Sequence, residues 1–192
     1  AIDDRGGTTH VAARAFVDAR GDADLAARAG AAVRYGSPDG SVQNGTLVVR
    51  FGGIAADADT SRAAWERAIR AGKARGLDAL TKEHGLVVRI PGSNDVVAYL
   101  ADEDYDVRYA RSHAAAERRG RRQAWQLLEA VRVLPGHGGA YVVTTGPSIG
   151  TRESRHVVSR RPLSEDDVVG GVRCGDAVAV GRVQRDREPL VA

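Results

Sequence analysis

From roughly Asp104 to Leu134 the apolar residues Val107, Ala110, Ala114, Ala124, Leu127, Leu128 and Val131 keep helical spacing, and Pro135-Gly136 closes the run. Glu117 and Arg121 stand four apart on the wet side, where an i,i+4 ion pair supports a helix. At ~1.5 Å per residue such a helix is about 45 Å long, enough to back a whole sheet. Its apolar stripe must be buried against another layer, so the remaining residues have to furnish that sheet.

They do so in short segments. Residues 8–17 read as a strand rising from Gly6-Gly7, and Thr46–Phe51 as a second one bounded by Gly52-Gly53. Leu86–Ile90 and Val96–Leu100 form a predicted hairpin around the loop 91–95, and Ala140–Thr145 and Arg155–Arg161 supply two more strands. A short helix runs from Leu25 to about Ala29, closed by Gly30. Another spans about Ser61 to Arg75, with Ala64, Trp65, Ala68 and Ile69 on one face and Gly76 at the C-terminal cap. Ser164 caps a third, with Asp167 completing a capping box. The prediction is one α+β domain over residues 1–192: an antiparallel or mixed sheet packed against one long and one shorter helix.

Apolar content of 43 % and charged content of 28 % are those of a globular protein. The longest apolar runs are four to six residues, against the ~20 a membrane helix needs. A single cysteine, Cys174, excludes an internal disulfide framework, and with no signal peptide a cytoplasmic setting is expected. Of 28 basic residues only Lys73 and Lys82 are lysines, a bias that fits a GC-rich bacterial genome. Aromatics are 5 %, too few for base-stacking platforms, so no nucleic-acid partner is expected. The chain has no methionine and opens abruptly in Ala-Ile-Asp-Asp-Arg-Gly-Gly, which reads as the middle of a longer polypeptide, a processed product or a subcloned fragment.

Two segments carry candidate chemistry. In Phe16–Gly30, a strand ending in Asp-x-x-Gly-Asp and opening into a helix puts backbone N–H groups at an element boundary, where they can meet a phosphate or a ribitol. The competing reading is that Asp22 or Asp24 caps the helix. In Thr151–His156, Arg152 and Arg155 can clamp an anionic substrate bidentately while Glu153 orients one of them, and His156 can donate a proton near neutral pH. Here the competing reading is a surface strand whose charges pair with one another. His10, His84 and His113 show no metal-ligand spacing, and His137 reads as a turn residue, so no metal is expected.

At these two segments the sequence resembles FAD-dependent oxidoreductases related to the glutathione-reductase and fumarate-reductase flavoproteins. Members carry a pattern like V-D-A-T-G-D-A/G-D-L-A-x-x-A-G followed by T-L-x-x-R-x-G-G, matched by Val17–Gly30 and Thr46–Gly53. Later come G-P-x-x-G-x-R-E-S/T-R, then L-S/T-x-x-D-V, a G-x-R stretch and D-A-I-A. These are matched by Gly146–Arg155, Leu163–Val168, Gly171–Arg173 and Asp176–Ala179.

The resemblance implies that Asp18, Gly21 and Asp22 lie near FAD, and that Arg152, Glu153 and Arg155 face flavin and substrate. It further implies the substrate (cap) domain of a two-domain flavoprotein, with residues 1–30 and 176–192 as the edges where the chain would leave and re-enter an FAD-binding domain. Two departures follow. Arg20 stands where the family has threonine, and no G-x-G-x-x-G precedes Asp18 to seat a pyrophosphate.

The expectation is a substrate-side portion, inactive by itself and binding no FAD alone. Its partners would be a small anionic substrate and the flavin-binding portion, on the same or another chain, with a homodimer also expected from uncovered interdomain surface. The alternative is a non-catalytic anion-binding or protein-interaction module derived from such an enzyme.

Overall fold

The computed structural model describes residues 2–4 (backbone only), 6–19, 21–152, 154–173 and 175. At its centre is a four-stranded antiparallel sheet. β4 (Gly45–Gly52) and β6 (Val96–Glu103) are the inner strands, with β5 (Leu86–Arg89) and β7 (Tyr141–Thr145) at the edges, in the order β5-β6-β4-β7. Leu47, Val49 and Phe51 alternate to one face of β4, and against that face lie α2 (Arg62–Ala74) and α3 (Ala110–Val131). The α+β architecture with one long and one shorter helix on an antiparallel sheet is as the sequence predicts.

Packing follows the pattern of side chains. Ser61 caps α2 by accepting the Ala64 N–H, and Ala64, Trp65, Ala68 and Ile69 all turn inward. Trp65 meets Phe51 with ring centroids 5.8 Å apart, and both are essentially fully buried. Burial of each such side chain stabilises by about 1.5–3 kcal/mol. The Trp65 indole N–H donates to His137 Nε2 at 3.3 Å, so the other ring nitrogen carries the proton and donates to the Pro135 carbonyl at 3.0 Å. The exposed turn around His137 is therefore pinned to the core through that one buried side chain.

The outer face of the sheet is different. Leu86 and Val88 on β5 and Tyr141 and Val143 on β7 are 41–58 % exposed, while their neighbours Val87 and Val142 pack inward. Apolar side chains are thus open to water at both edges of this face, with Arg50 of β4, paired to Asp95, between them.

Several elements depart from the sequence reading. The long helix begins at Ala110, so it has 22 residues and is about 33 Å long. Asp102 and Glu103 end β6 instead of starting the helix, because Thr46 and Gly45 of β4 pair with them. Val107 precedes the helix, and Ala110 and Ala114 are exposed. The strand expected over 8–17 is replaced by a small hairpin of β1 (Ile2–Asp4) with β2 (Gly7–Thr9); residues 10–17 pair with no strand among the described residues. Val17 is 87 % exposed. A strand needs a neighbour for its backbone groups, and this one has none there.

A second two-stranded sheet joins distant parts of the chain. β3 (Val33–Tyr35) pairs antiparallel with β8 (Arg155–Val157), and the short helix α1 (Asp24–Arg28) lies beside β8. The last element is α4 (Glu165–Gly170), opened by the Ser164–Asp167 capping box.

Candidate functional site

The two segments singled out in the sequence fold onto each other. Asp22 Oδ1 accepts the Ser154 hydroxyl, and Arg155 Nη1 ion-pairs with Asp24 while donating to the Asp22 carbonyl at 3.3 Å. Asp18 Oδ2 accepts the Ala26 N–H of α1 at 2.9 Å. The Gly36 N–H donates to the Ser154 carbonyl at 2.8 Å, which fastens this junction to the end of β3. Ser154 is 2 % exposed, so its bond to a charged acceptor lies out of water, where it is strongest.

Backbone geometry marks the same place. Ala23, between the two aspartates, has φ 50°, the single positive-φ residue other than glycine among the described residues. Such a conformation costs an alanine about 1–2 kcal/mol and persists only where its surroundings impose it. At Gly21, φ lies outside the left-handed region and an added Cβ would meet nothing within 4 Å. Nothing in the chain's own described packing requires glycine there.

The approach to Arg152 is organised from α3. Glu117 accepts the Ile149 N–H at 2.6 Å and the Ser148 hydroxyl at 2.7 Å, and pairs with Arg121. Burial by itself would raise the Glu117 pKa, but the Arg121, Ile149 and Ser148 donors outweigh it and hold the carboxyl at about 2. The turn 146–150 is thereby tied to the helix, and Gly150 forms a β-bridge with Thr46. Thr151 Oγ1 then bonds the Tyr105 hydroxyl at 2.7 Å.

Arg152 follows, exposed, with Nη2 3.4 Å from Thr46 Oγ1. Thr46 in turn donates to Asp102 at 2.9 Å. A register shift between Leu47 and Val49 in the β4–β6 ladder sets this up. It brings Glu103 to the helix side, where Arg119 and Gln123 of α3 bond it, and aims Asp102 at Thr46 and Lys82.

Asp18, Asp22, Arg155 and the backbone of Gly21 are thus gathered at one junction, and Arg155 is engaged by Asp24. Arg152 reaches the other way, to β4, so the two arginines have different partners. His156 sits on β8 opposite Arg34. Glu153 and Arg20 lie outside the described residues, as do Cys174 and residues 176–192. Ser154, Ala23 and Glu117 were missed in the sequence. Ser154 and Ala23 sit inside the quoted patterns with nothing to mark them, and Glu117 shows only its helical partner Arg121. No group of three or more His, Cys, Asp or Glu among the described residues is placed to hold a metal. No helix there is long and apolar enough to cross a membrane.

Acceptors dominate the junction, and this tests its fit to FAD. A diphosphate needs backbone N–H groups at a helix start aimed at it. Here α1 has five residues, its Ala26 N–H is taken by Asp18, and Asp22 and Asp24 add two more carboxylates. The side chains of this junction do not fit the diphosphate; their carboxylates suit hydroxyl donors instead.

No curated protein and no solved structure matches the chain significantly. The family profile described as FAD dependent oxidoreductase matches residues 1–189. With the match running over nearly the whole chain, this protein belongs to the FAD dependent oxidoreductase family.

Proposed function

We propose that this chain is the substrate-side portion of a flavin-dependent oxidoreductase, with the diphosphate cradle supplied by residues outside 1–192. The observation that carries the reading is the junction itself: Gly21, which the packing of the described residues leaves open, stands beside Asp22, which is fixed by Ser154. Glycine with space around it suits the close approach of a group from outside the described packing. A small anionic substrate would meet Arg152, whose guanidinium is exposed and held among the described residues by one long bond; His156 is the proton donor in this reading.

In family enzymes FAD carries the redox chemistry. This chain alone is therefore expected to bind no FAD and to turn over no substrate. An absorbance scan across the flavin bands, on purified protein with and without added FAD, tests this. Colourless protein that leaves added FAD unshifted agrees with the reading, and stoichiometric flavin after purification refutes it.

A second reading, a non-catalytic binding module, is favoured by the sheet face that exposes Leu86, Val88, Tyr141 and Val143. Under it a second copy or a different partner chain covers that face. Sedimentation of the purified chain separates the two partners: a dimer supports the former, a monomer the latter.

A further inference from the structure

The chain uses arginine almost everywhere, yet its two lysines, Lys73 and Lys82, line one cleft of about 420 Å³ with Asn44, Glu83, His84 and Asp102. The cleft lies outside the junction of Asp22 and Ser154. Lys73 comes from the last turn of α2, Lys82 to His84 from the loop before β5, and Asp102 from the end of β6.

Its carboxylates are already engaged. Asp102 accepts Lys82 Nζ at 2.9 Å on one oxygen and the Thr46 hydroxyl at 2.9 Å on the other. Glu83 accepts Arg70 Nε at 2.6 Å on one oxygen and only a long 3.4 Å contact from Lys73 on the other. What remains unused is donor capacity. Each ammonium has three N–H groups and each lysine spends one. Among the described residues the side chains of His84 and Asn44 make no hydrogen bond.

We propose that this cleft binds a compact oxyanion, a phosphate or carboxylate group of a small molecule, through Lys73 and Lys82 with His84 and Asn44 as further donors. With each carboxylate already paired to a cation and most ammonium N–H groups spare, the cleft favours a ligand made of acceptors. A small, rotatable ammonium suits a compact oxyanion here better than the planar fork of arginine. The site also adjoins the arginine cluster, because Asp102 and Thr46 connect Lys82 to Arg152 in one run of hydrogen bonds.

Thermal unfolding of the chain with inorganic phosphate, with malonate and with chloride at equal ionic strength is the test. Phosphate or malonate at ten times its dissociation constant should raise Tm by about 3–6 °C over chloride, and the stronger of the two identifies the kind of oxyanion. Lys73→Gln and Lys82→Gln together should abolish the difference. Equal Tm in all three salts, or a shift that survives the double substitution, overturns the proposal. Should the double variant not fold, amide chemical shifts of the unmodified chain decide. Perturbation by phosphate or malonate confined to residues around 73, 82–84 and 44 supports the site, and perturbation elsewhere or nowhere refutes it.

Discussion

Ser154 donates its hydroxyl to the Asp22 carboxylate across 132 positions of sequence, and it does so from a buried side chain. Ser154→Ala removes the donor and leaves a charged acceptor partly out of water. A loss of about 1–3 kcal/mol is expected in urea unfolding. Equal midpoints for the two proteins would show that the junction is not held by this bond.

The two arginines of the cluster should behave differently. Arg155 is about three-quarters buried and paired with Asp24, so Arg155→Ala leaves Asp24 without that partner and lowers Tm measurably. Arg152 is exposed with one long bond among the described residues, so Arg152→Ala should leave Tm unchanged. A Tm drop of equal size in both variants contradicts this division of labour.

Glu117 gives the fold an acid-sensitive contact. Its carboxyl is held at about 2, below the ordinary 4.5, by bonds that win over its burial. A carboxyl lowered on folding stabilises fully above its unfolded pKa, and the contribution fades as pH falls from about 4.5 towards 2. The amount at stake is about 3 kcal/mol. Glu117→Gln should therefore destabilise at pH 7 and flatten the loss below about pH 4.5, measured as unfolding free energy against pH. A variant that tracks the parent's acid slope contradicts the assignment.

At Gly53, φ is 73° and an added Cβ would lie 2.4 Å from the Gly139 carbonyl oxygen. Gly53→Ala faces both a disfavoured backbone and a backbone clash, so it should cost at least about 2 kcal/mol. Differential scanning calorimetry would show the drop in Tm. An unchanged Tm means that the turn at 136–139 can move aside.

Where the fold was readable, short-range chemistry decided it. Ser61 and Ser164 cap helices as their positions suggest, and the inward face of α2 follows from its spacing. The start of α3 was not readable, because the acidic run at 102–106 suits a helix start equally well; only pairing with β4, more than fifty residues away, draws Asp102 and Glu103 into a strand. The same limit applies at the junction. Asp22 can cap a helix, yet it bonds Ser154, and no local pattern announces a partner so distant. The bulge that points Asp102 at Lys82 is likewise invisible to alternation counted along β6 by itself.

Water held against Leu86, Val88, Tyr141 and Val143 is released whenever another surface meets them, at about 25 cal/mol for each Å² of apolar contact. Concentrated solutions therefore gain from bringing two such sides together. A glutamate planted there, as in Val88→Glu, is the change that keeps them clear.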